Sequence, residues 1–392
     1  MRKVAVVGIG QTNFSGAQDK TGVELFAEAS LDAITTSNLK PKDIQALFVG
    51  NVLGDFSEGQ GMVQAFAADN IGAFNVPANK YDGACASATM ALRDAFTWVA
   101  TGQYDIVLAG GVERAASMGT PLATRTFAMF SDSRYEYPCG ITFPGVFALL
   151  AHLYASQYNI PLEKLKEQMA AVSVQSYRLG LHNPKAHLRK EVSMEKVLSS
   201  FMISTPLQLH DACPFSDGAA AVILASEETA RKLTDKPVYI TGTGQASSGP
   251  LCSQQDYLPR LRAREIAVKQ AYNMAGLTPN DIDLCELHDC FSIASLIAAE
   301  GLGFFEYGKS GDAWLAGQAD IGGKVVINPS GGLKSKGHPI GATGAGQVYE
   351  CVRQLRGEVE PERQVPDART ALTDTLGGDG GTICNLILQR GW

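Results

Sequence analysis

Two rhythms of apolar residues run along this chain, and both run through it twice. Short unbroken apolar runs, such as Val4-Ala5-Val6-Val7 and Ala46-Leu47-Phe48-Val49, alternate with stretches where apolar residues return every three or four positions, as at Phe26, Ala29 and Ala33. The first rhythm predicts strands buried on both faces, the second helices with one apolar stripe. The order in the first half is strand Val4–Gln11, helix, Leu39-Lys40-Pro41-Lys42-Asp43-Ile44, then strand Ala46–Val49. It returns as strand Val238–Gln245, a helix face at Ala267, Ala271 and Met274, Leu277-Thr278-Pro279-Asn280-Asp281-Ile282, then strand Leu284–Leu287. Ala88-Thr89 answers Ala342-Thr343, and Ile106–Leu108 answers Ile383–Leu388. Matched features in one order imply a duplicated α/β chain with a mixed, largely parallel sheet. We place the halves at 1–230 and 231–392, around a pseudo-two-fold axis. Residues 114–205 interrupt the first half as an inserted loop domain with an amphipathic helix through Leu162, Leu165 and Met169, before Ser216-Asp217-Gly218-Ala219-Ala220-Ala221 resumes the strand character.

Composition narrows the class. The chain has 392 residues, 45% hydrophobic and 19% charged, which is enough for a large core. A net charge of -7 argues against a general nucleic-acid binder. No 18-residue apolar stretch is free of charge, so no membrane helix is expected. The first apolar run is too short for a signal peptide, so the expected compartment is the reducing cytoplasm, with all eight cysteines as free thiols.

Candidate chemistry sits in three runs. Cys85 lies in Asp82-Gly83-Ala84-Cys85-Ala86-Ser87, which reads as a tight turn entering a helix. Gly83 is expected to permit the turn, and the helix N-terminus to favour a thiolate. Cys85 alone reads equally well as a small core residue. His338, in Gly337-His338-Pro339-Ile340-Gly341-Ala342-Thr343-Gly344, offers a base, or else a capping or solvated histidine. His288-Asp289-Cys290-Phe291-Ser292 adds another imidazole and another thiol. Together the runs point to acyl transfer. Gly8-x-Gly10 and Gly242-x-Gly244 lack the third glycine of a dinucleotide site and are read as close-packing positions. Cys285, His288 and Cys290 lack the paired C-x-x-C partner of a zinc site. The basic stretch from Arg178 to Lys190 reads as a solvated face or as a dock for an anionic ligand.

These runs resemble the thiolase superfamily over the whole chain. His288-Asp289-Cys290-Phe291 and Tyr137-Pro138-Cys139-Gly140-Ile141-Thr142-Phe143-Pro144-Gly145 resemble its sterol-carrier-protein-2-type members, and the overall pattern is similar to the archaeal acetoacetyl-CoA thiolases of isoprenoid synthesis. The resemblance implies the thiolase fold, two βαβαβαββ halves in a five-layer αβαβα sandwich. There is one departure. Many thiolases have N-E-A-F in place of His288-Asp289-Cys290-Phe291, and a second catalytic cysteine where this chain has Thr375 of Thr375-Leu376-Gly377-Gly378. A threonine hydroxyl is too weak an acid to replace it; in the resembling subfamily the cysteine of H-D-C-F takes over, so the resemblance carries the acid/base role to Cys290 rather than to Cys384.

The resemblance implies acetyl-CoA C-acetyltransferase activity through an acyl-Cys85 intermediate, the first step of the mevalonate pathway, with CoA thioesters as substrates and no metal or redox cofactor. His338 would deprotonate Cys85 and, with His288 directly or through water, hold the enolate oxygen. The N–H groups of Cys85 and Gly377 would hold the tetrahedral intermediate. Arg189, Lys190 and Ser247 are the candidate CoA contacts. The resemblance also implies a homodimer or a dimer of dimers through first-half strands. A further implied complex joins it to hydroxymethylglutaryl-CoA synthase through a small acyl-CoA-binding bridging protein. The rival readings are a longer-chain 3-ketoacyl-CoA thiolase, a C-acyltransferase with a non-CoA acceptor, a decarboxylating ketoacyl synthase using Cys85, His288 and His338, and a non-catalytic scaffold subunit.

Overall fold

The computed structural model describes residues 1–392. Twelve strands form: β1 (Val4–Gln11), β2 (Ala46–Gly50), β3 (Ala78–Tyr81), β4 (Ile106–Arg114), β5 (Met202–Ser204), β6 (Leu207–Gln208), β7 (Asp217–Ser226), β8 (Val238–Ser247), β9 (Leu284–Glu286), β10 (Val326–Ile327), β11 (Thr370–Gly377) and β12 (Thr382–Arg390). Ten of them make one sheet in the order β10-β9-β11-β12-β8-β1-β7-β4-β2-β3, and β5 and β6 pair by themselves. Read outward from its centre, each half has the same order: first strand, fifth, fourth, second, third. In the first half β2, β3 and β4 run parallel and β7 antiparallel between β4 and β1. In the second half β9, β10 and β11 run parallel and β12 antiparallel between β11 and β8. The halves meet where β1 pairs antiparallel with β8, Val4 opposite Ile240 and Val6 opposite Val238. That pairing is the pseudo-two-fold axis the repeat predicts.

Helices complete five layers. Ser87–Ala100 and Thr343–Arg356 pack on each other between the two half-sheets, where Leu92, Phe96 and Val99 share one apolar core with Val348, Val352 and Leu355. Gly22–Thr36 covers β1 and β7 on one outside, and Arg262–Ala275 covers β8 and β12 on the other. Phe26, Ala29 and Ala33 are buried as the periodicity requires, as are Ala267 and Ala271, but Met274 is exposed at the edge of its stripe. The Gly-x-Gly pairs do the same work in both halves. A Cβ at Gly8 or Gly10 would strike the carbonyls of Ala33 or Ala29, and one at Gly242 or Gly244 those of Ala271 or Ala267. The glycines let each outer helix lie close on its strand, as their reading as packing positions anticipated.

The insertion is longer than the sequence pattern suggests. It fills the whole span between β4 and β7, residues 115–216, rather than ending near 205. It belongs to the first half by sequence, yet Val146, Phe147, Leu165 and Met169 bury against Ile293, Leu296 and Leu333 of the second. Its apolar surface is what draws it across the junction.

Candidate active site

Cys85 sits two residues ahead of the helix Ser87–Ala100, at the bottom of a sharp elbow. The left-handed conformation falls on Ala84 (φ 50°), not on Gly83. A Cβ at Gly83 would meet only the flexible Met90 side chain at its Sδ, which would have to shift to admit it. Local hydrogen bonds hold the strained residue. Asp82 Oδ1 accepts from Ala84 N–H at 3.1 Å, and Ser87 Oγ accepts from Gly83 N–H at 2.9 Å while donating to Ala84 O at 2.6 Å. A non-glycine residue held at positive φ beside a nucleophile is strain that its surroundings enforce.

The electrostatics of Cys85 differ from the sequence expectation. Burial raises the thiol well above its ordinary value, and Cys213 and Glu113 add to the rise. The N–H groups of Gly378 and of Cys85 itself oppose it without winning. Cys85 therefore rests as a thiol, because desolvation outweighs the helix terminus. The donor beside the sulfur is also one residue further on than implied. It is Gly378, which lines the site, while Gly377 is packed against the Gly83 carbonyl.

His338 is fixed at both ends. Its N–H donates to Ser216 Oγ at 3.0 Å. Its Nδ1 lies 2.9 Å from Thr343 Oγ1, and Thr343 donates its own proton to Pro339 O at 3.2 Å. With that proton committed, Nδ1 must be the donor and Nε2 keeps its lone pair. His288 stacks edge-on to His338, centroids 5.0 Å apart and rings at 80°. One ligand atom each from Cys85, His288 and His338 lies within 4.8 Å of the others. Burial drives His288 down to about 3, helped by the charge of Arg264. It also drives His338 well below its ordinary value, helped by His288 and Lys336. Both rings are neutral at pH 7. Both nitrogens of His288 lack any partner although the residue is fully buried. Such an unsatisfied group is costly, and an incoming oxygen would satisfy it. These three side chains are also the one cluster able to hold a metal ion; Cys285 lies away from them, buried in β9.

The segment carrying His288 and Cys290 is held by buried polar partners. Arg264 grips Asp374 through two 3.0 Å bonds, and Asp374 accepts weakly from His288 N–H at 3.5 Å. Asp289 accepts from Leu333 N–H at 2.7 Å. Ser292 donates to Asp211 at 2.7 Å and accepts from Lys334 Nζ at 2.8 Å. Cys290, 6% exposed, faces the same cavity as Cys85, and burial pushes its thiol far up. A third cysteine was not singled out from sequence. Cys213 lines this cavity half-buried, and its N–H donates to Cys290 O at 2.9 Å. Burial pushes its thiol up to about 12. The signal available was its place two residues before Phe215, which bridges to His338.

These groups open into a cavity of about 700 Å³. Lys190 reaches its wall, with Nζ 5.8 Å over the Tyr177 ring. Arg189 is exposed off the cavity and donates to Leu181 O at 3.3 Å. Ser247 ends β8 against Thr382, 3.1 Å away, and does not reach the cavity. Thr375 is fully buried elsewhere, bonded to Thr89 at 2.9 Å and to Cys384 O at 3.3 Å. Cys384 lies in β12, as expected of it.

The pattern of the family described as "Thiolase, N-terminal domain" matches residues 4–228, and that described as "Thiolase C-terminal domain-like" matches residues 244–390. An "Acetyl-CoA acetyltransferase" of Methanothermobacter thermautotrophicus is 41% identical over 100% of both chains. "Sterol carrier protein 2" of Homo sapiens is 33% identical over 98% of this chain and 72% of its own length. Among solved structures, an "Ltp2-ChsH2(DUF35) aldolase" superposes with a TM-score of 0.82 at 27% identity, covering 99% of this chain and 97% of that one. Human mitochondrial 3-ketoacyl-CoA thiolase in complex with CoA superposes with a TM-score of 0.77 at 20% identity, covering 100% and 98%, which speaks to the fold alone.

Proposed function

This chain belongs to the thiolase family, and we propose that it is an acetyl-CoA C-acetyltransferase, joining two acetyl-CoA into acetoacetyl-CoA and free CoA or running the reverse thiolysis. The observation that carries this reading is the meeting of the Cys85, His288 and His338 ligand atoms within 4.8 Å, beside Cys290 on the wall of one cavity. Cys85 attacks a thioester carbonyl as His338 Nε2 takes its proton, so that the buried thiolate forms only during attack. The amides of Cys85 and Gly378 receive the resulting oxyanion. The departing CoA thiolate takes the proton of Cys290, which as a thiolate then removes one from the methyl of the second acetyl-CoA; thiolysis runs these transfers in reverse. The enolate oxygen is held by the ring N–H of His288 and by Nε2 of His338, which keeps the proton taken from Cys85. Lys190 meets the anionic part of CoA.

The rival with a specific observation behind it is decarboxylating condensation, since a thiol flanked by two neutral imidazoles suits loss of carbon dioxide from a malonyl thioester. Cys290 on the cavity wall favours the thiolase reading. The setting we assign is the cytoplasm, at the first step of the mevalonate pathway. No helix is long and apolar enough to cross a membrane. A homodimer would form through β3, an unpaired edge at the end of the sheet, near exposed Phe66 and Phe74. The structural likeness to the "Ltp2-ChsH2(DUF35) aldolase" supports a DUF35-type partner, and we extend this to a bridge toward hydroxymethylglutaryl-CoA synthase. The test is thiolysis of acetoacetyl-CoA by free CoA, with Cys85→Ala as control. Cys85-dependent turnover is expected. A folded protein that turns over malonyl-CoA with carbon dioxide release, and not acetoacetyl-CoA, would overturn it.

A further inference from the structure

The two ends of the cavity differ in chemistry. At one end are Lys190 and the Tyr177–His210 pair, whose hydroxyl and Nδ1 lie 3.3 Å apart. This end suits the phosphates and amides of a CoA thioester. At the other end are four phenylalanine rings, and Cys85 packs in the same apolar cluster with them. Phe127 is their hub. It meets Phe215 edge to face at 5.0 Å and 85°, Phe143 at 6.3 Å and 74°, and Phe130 in a tilted contact at 6.2 Å. Phe215 stands beside His338 through the backbone bridge between them, and the Phe130 backbone lies against Gly378. The rings therefore share the apolar surroundings of Cys85 on the cavity wall.

A two-carbon acyl group gives four rings little to touch, and the cavity of about 700 Å³ also has to admit the arm of CoA. Aromatic groups prefer edge-to-face and offset contacts, and this wall already holds its own rings in that arrangement. A flat acyl group also loses little conformational freedom on entering, unlike an alkyl chain. We infer that the acyl subsite beside Cys85 accepts aryl groups, so that this chain also cleaves and forms aromatic 3-oxoacyl-CoA thioesters. The inference rests on the thiolase reading above and names a substrate class for it. With 3-oxo-3-phenylpropionyl-CoA, Cys85 sulfur bonds to C3 and the C2–C3 bond breaks. The electron pair stays on C2, which takes one proton from Cys290 and leaves as acetyl-CoA. Free CoA gives its proton to Cys290 and attacks the benzoyl thioester; benzoyl-CoA leaves, and His338 returns the proton it took, restoring the Cys85 thiol.

The experiment compares kcat/KM for acetoacetyl-CoA, 3-oxohexanoyl-CoA and 3-oxo-3-phenylpropionyl-CoA in the full chain and in Phe127→Leu. Mass spectrometry of the intact protein checks which acyl group sits on Cys85. We expect the aryl substrate to come within about tenfold of acetoacetyl-CoA, a benzoyl adduct on Cys85, and an aryl-to-acetoacetyl ratio about fivefold lower in Phe127→Leu. The ratio is internal to each protein, so a partly misfolded variant does not mimic the effect. Turnover of acetoacetyl-CoA with the aryl substrate more than about 100-fold worse would overturn the inference while leaving the thiolase reading intact. So would preference for 3-oxohexanoyl-CoA over the aryl substrate with a ratio unmoved by Phe127→Leu. Failure of acetyl-CoA to acylate Cys85 at all would overturn the thiolase reading and this inference with it.

Discussion

Replacing Thr343 by valine removes one hydroxyl and keeps the shape of the side chain, yet it should slow acylation of Cys85 severely. The hydroxyl accepts from His338 Nδ1 at 2.9 Å and passes its own proton to Pro339 O at 3.2 Å, which fixes the imidazole tautomer. Without it, the ring has two courses. It can keep a buried Nδ1–H with no acceptor, at a cost of about 1–3 kcal/mol. Or it can move the proton to Nε2, which then presents a donor to Cys85 where a base is needed. Either course raises the barrier to deprotonating the thiol by a similar amount. At about 1.4 kcal/mol per factor of ten, acylation slows about 5- to 150-fold. Thr343 does not line the cavity, so the affinity for acyl-CoA should hardly move. Thr343→Ser retains the hydroxyl and should restore most of the rate. The assay is the single-turnover release of CoA from acetyl-CoA, with the acylated protein weighed by mass spectrometry. A folded Thr343→Val that acylates within about twofold of the wild type would refute the tautomer argument.

Because burial holds Cys85 as a thiol, its alkylation by iodoacetamide should climb about tenfold per pH unit from 7 to 9 without a plateau; a plateau would indicate a resting thiolate–imidazolium pair. Cys290→Ala should still acylate Cys85 but fail to make or break the carbon–carbon bond, whereas Thr375→Ala, off the cavity, should do both; normal condensation by Cys290→Ala would sink the assignment. His288 is held neutral by burial, with a folded value of about 3 against an ordinary one of about 6.5, so its contribution to stability is complete above about pH 6.5 and is lost as pH falls toward 3. His288→Asn should therefore remove about 1.4 kcal/mol per pH unit from the acid slope of stability in that window, read from denaturant midpoints. Arg264→Met leaves Asp374 charged and unpaired in the core and should destabilise the fold by about 3–5 kcal/mol, a loss that unchanged thermal unfolding would contradict.

What the sequence made legible was whatever depends on local pattern. The duplication could be read because each half repeats strand, helix face and Pro-containing turn in one order, and both turns form as short helices, Pro41–Asp43 and Pro279–Asp281. Cys85, His338 and the His288–Cys290 run could be read because each lies within a few residues of the turn or helix that aims it. The larger misreadings trace to distance along the chain. A helix N-terminus does favour a thiolate, but the insertion and the second half bury Cys85, and that desolvation is absent from any short window of sequence. Gly83 reads as the turn residue from propensity, whereas the left-handed conformation falls on Ala84, held there by Asp82 and Ser87. Cys213 escaped notice because it reaches the cavity only once residues 115–216 have folded over the second half, and Ser247 was overvalued because nothing local says which way the end of β8 faces. His288 carries the argument furthest. Its place in a short motif marks it as chemical, but only the folded chain leaves both its nitrogens buried without partners. Arg264 and Asp374 hold the backbone of His288 from far off in sequence, so the chemistry of the site is written locally and its placement is set by packing.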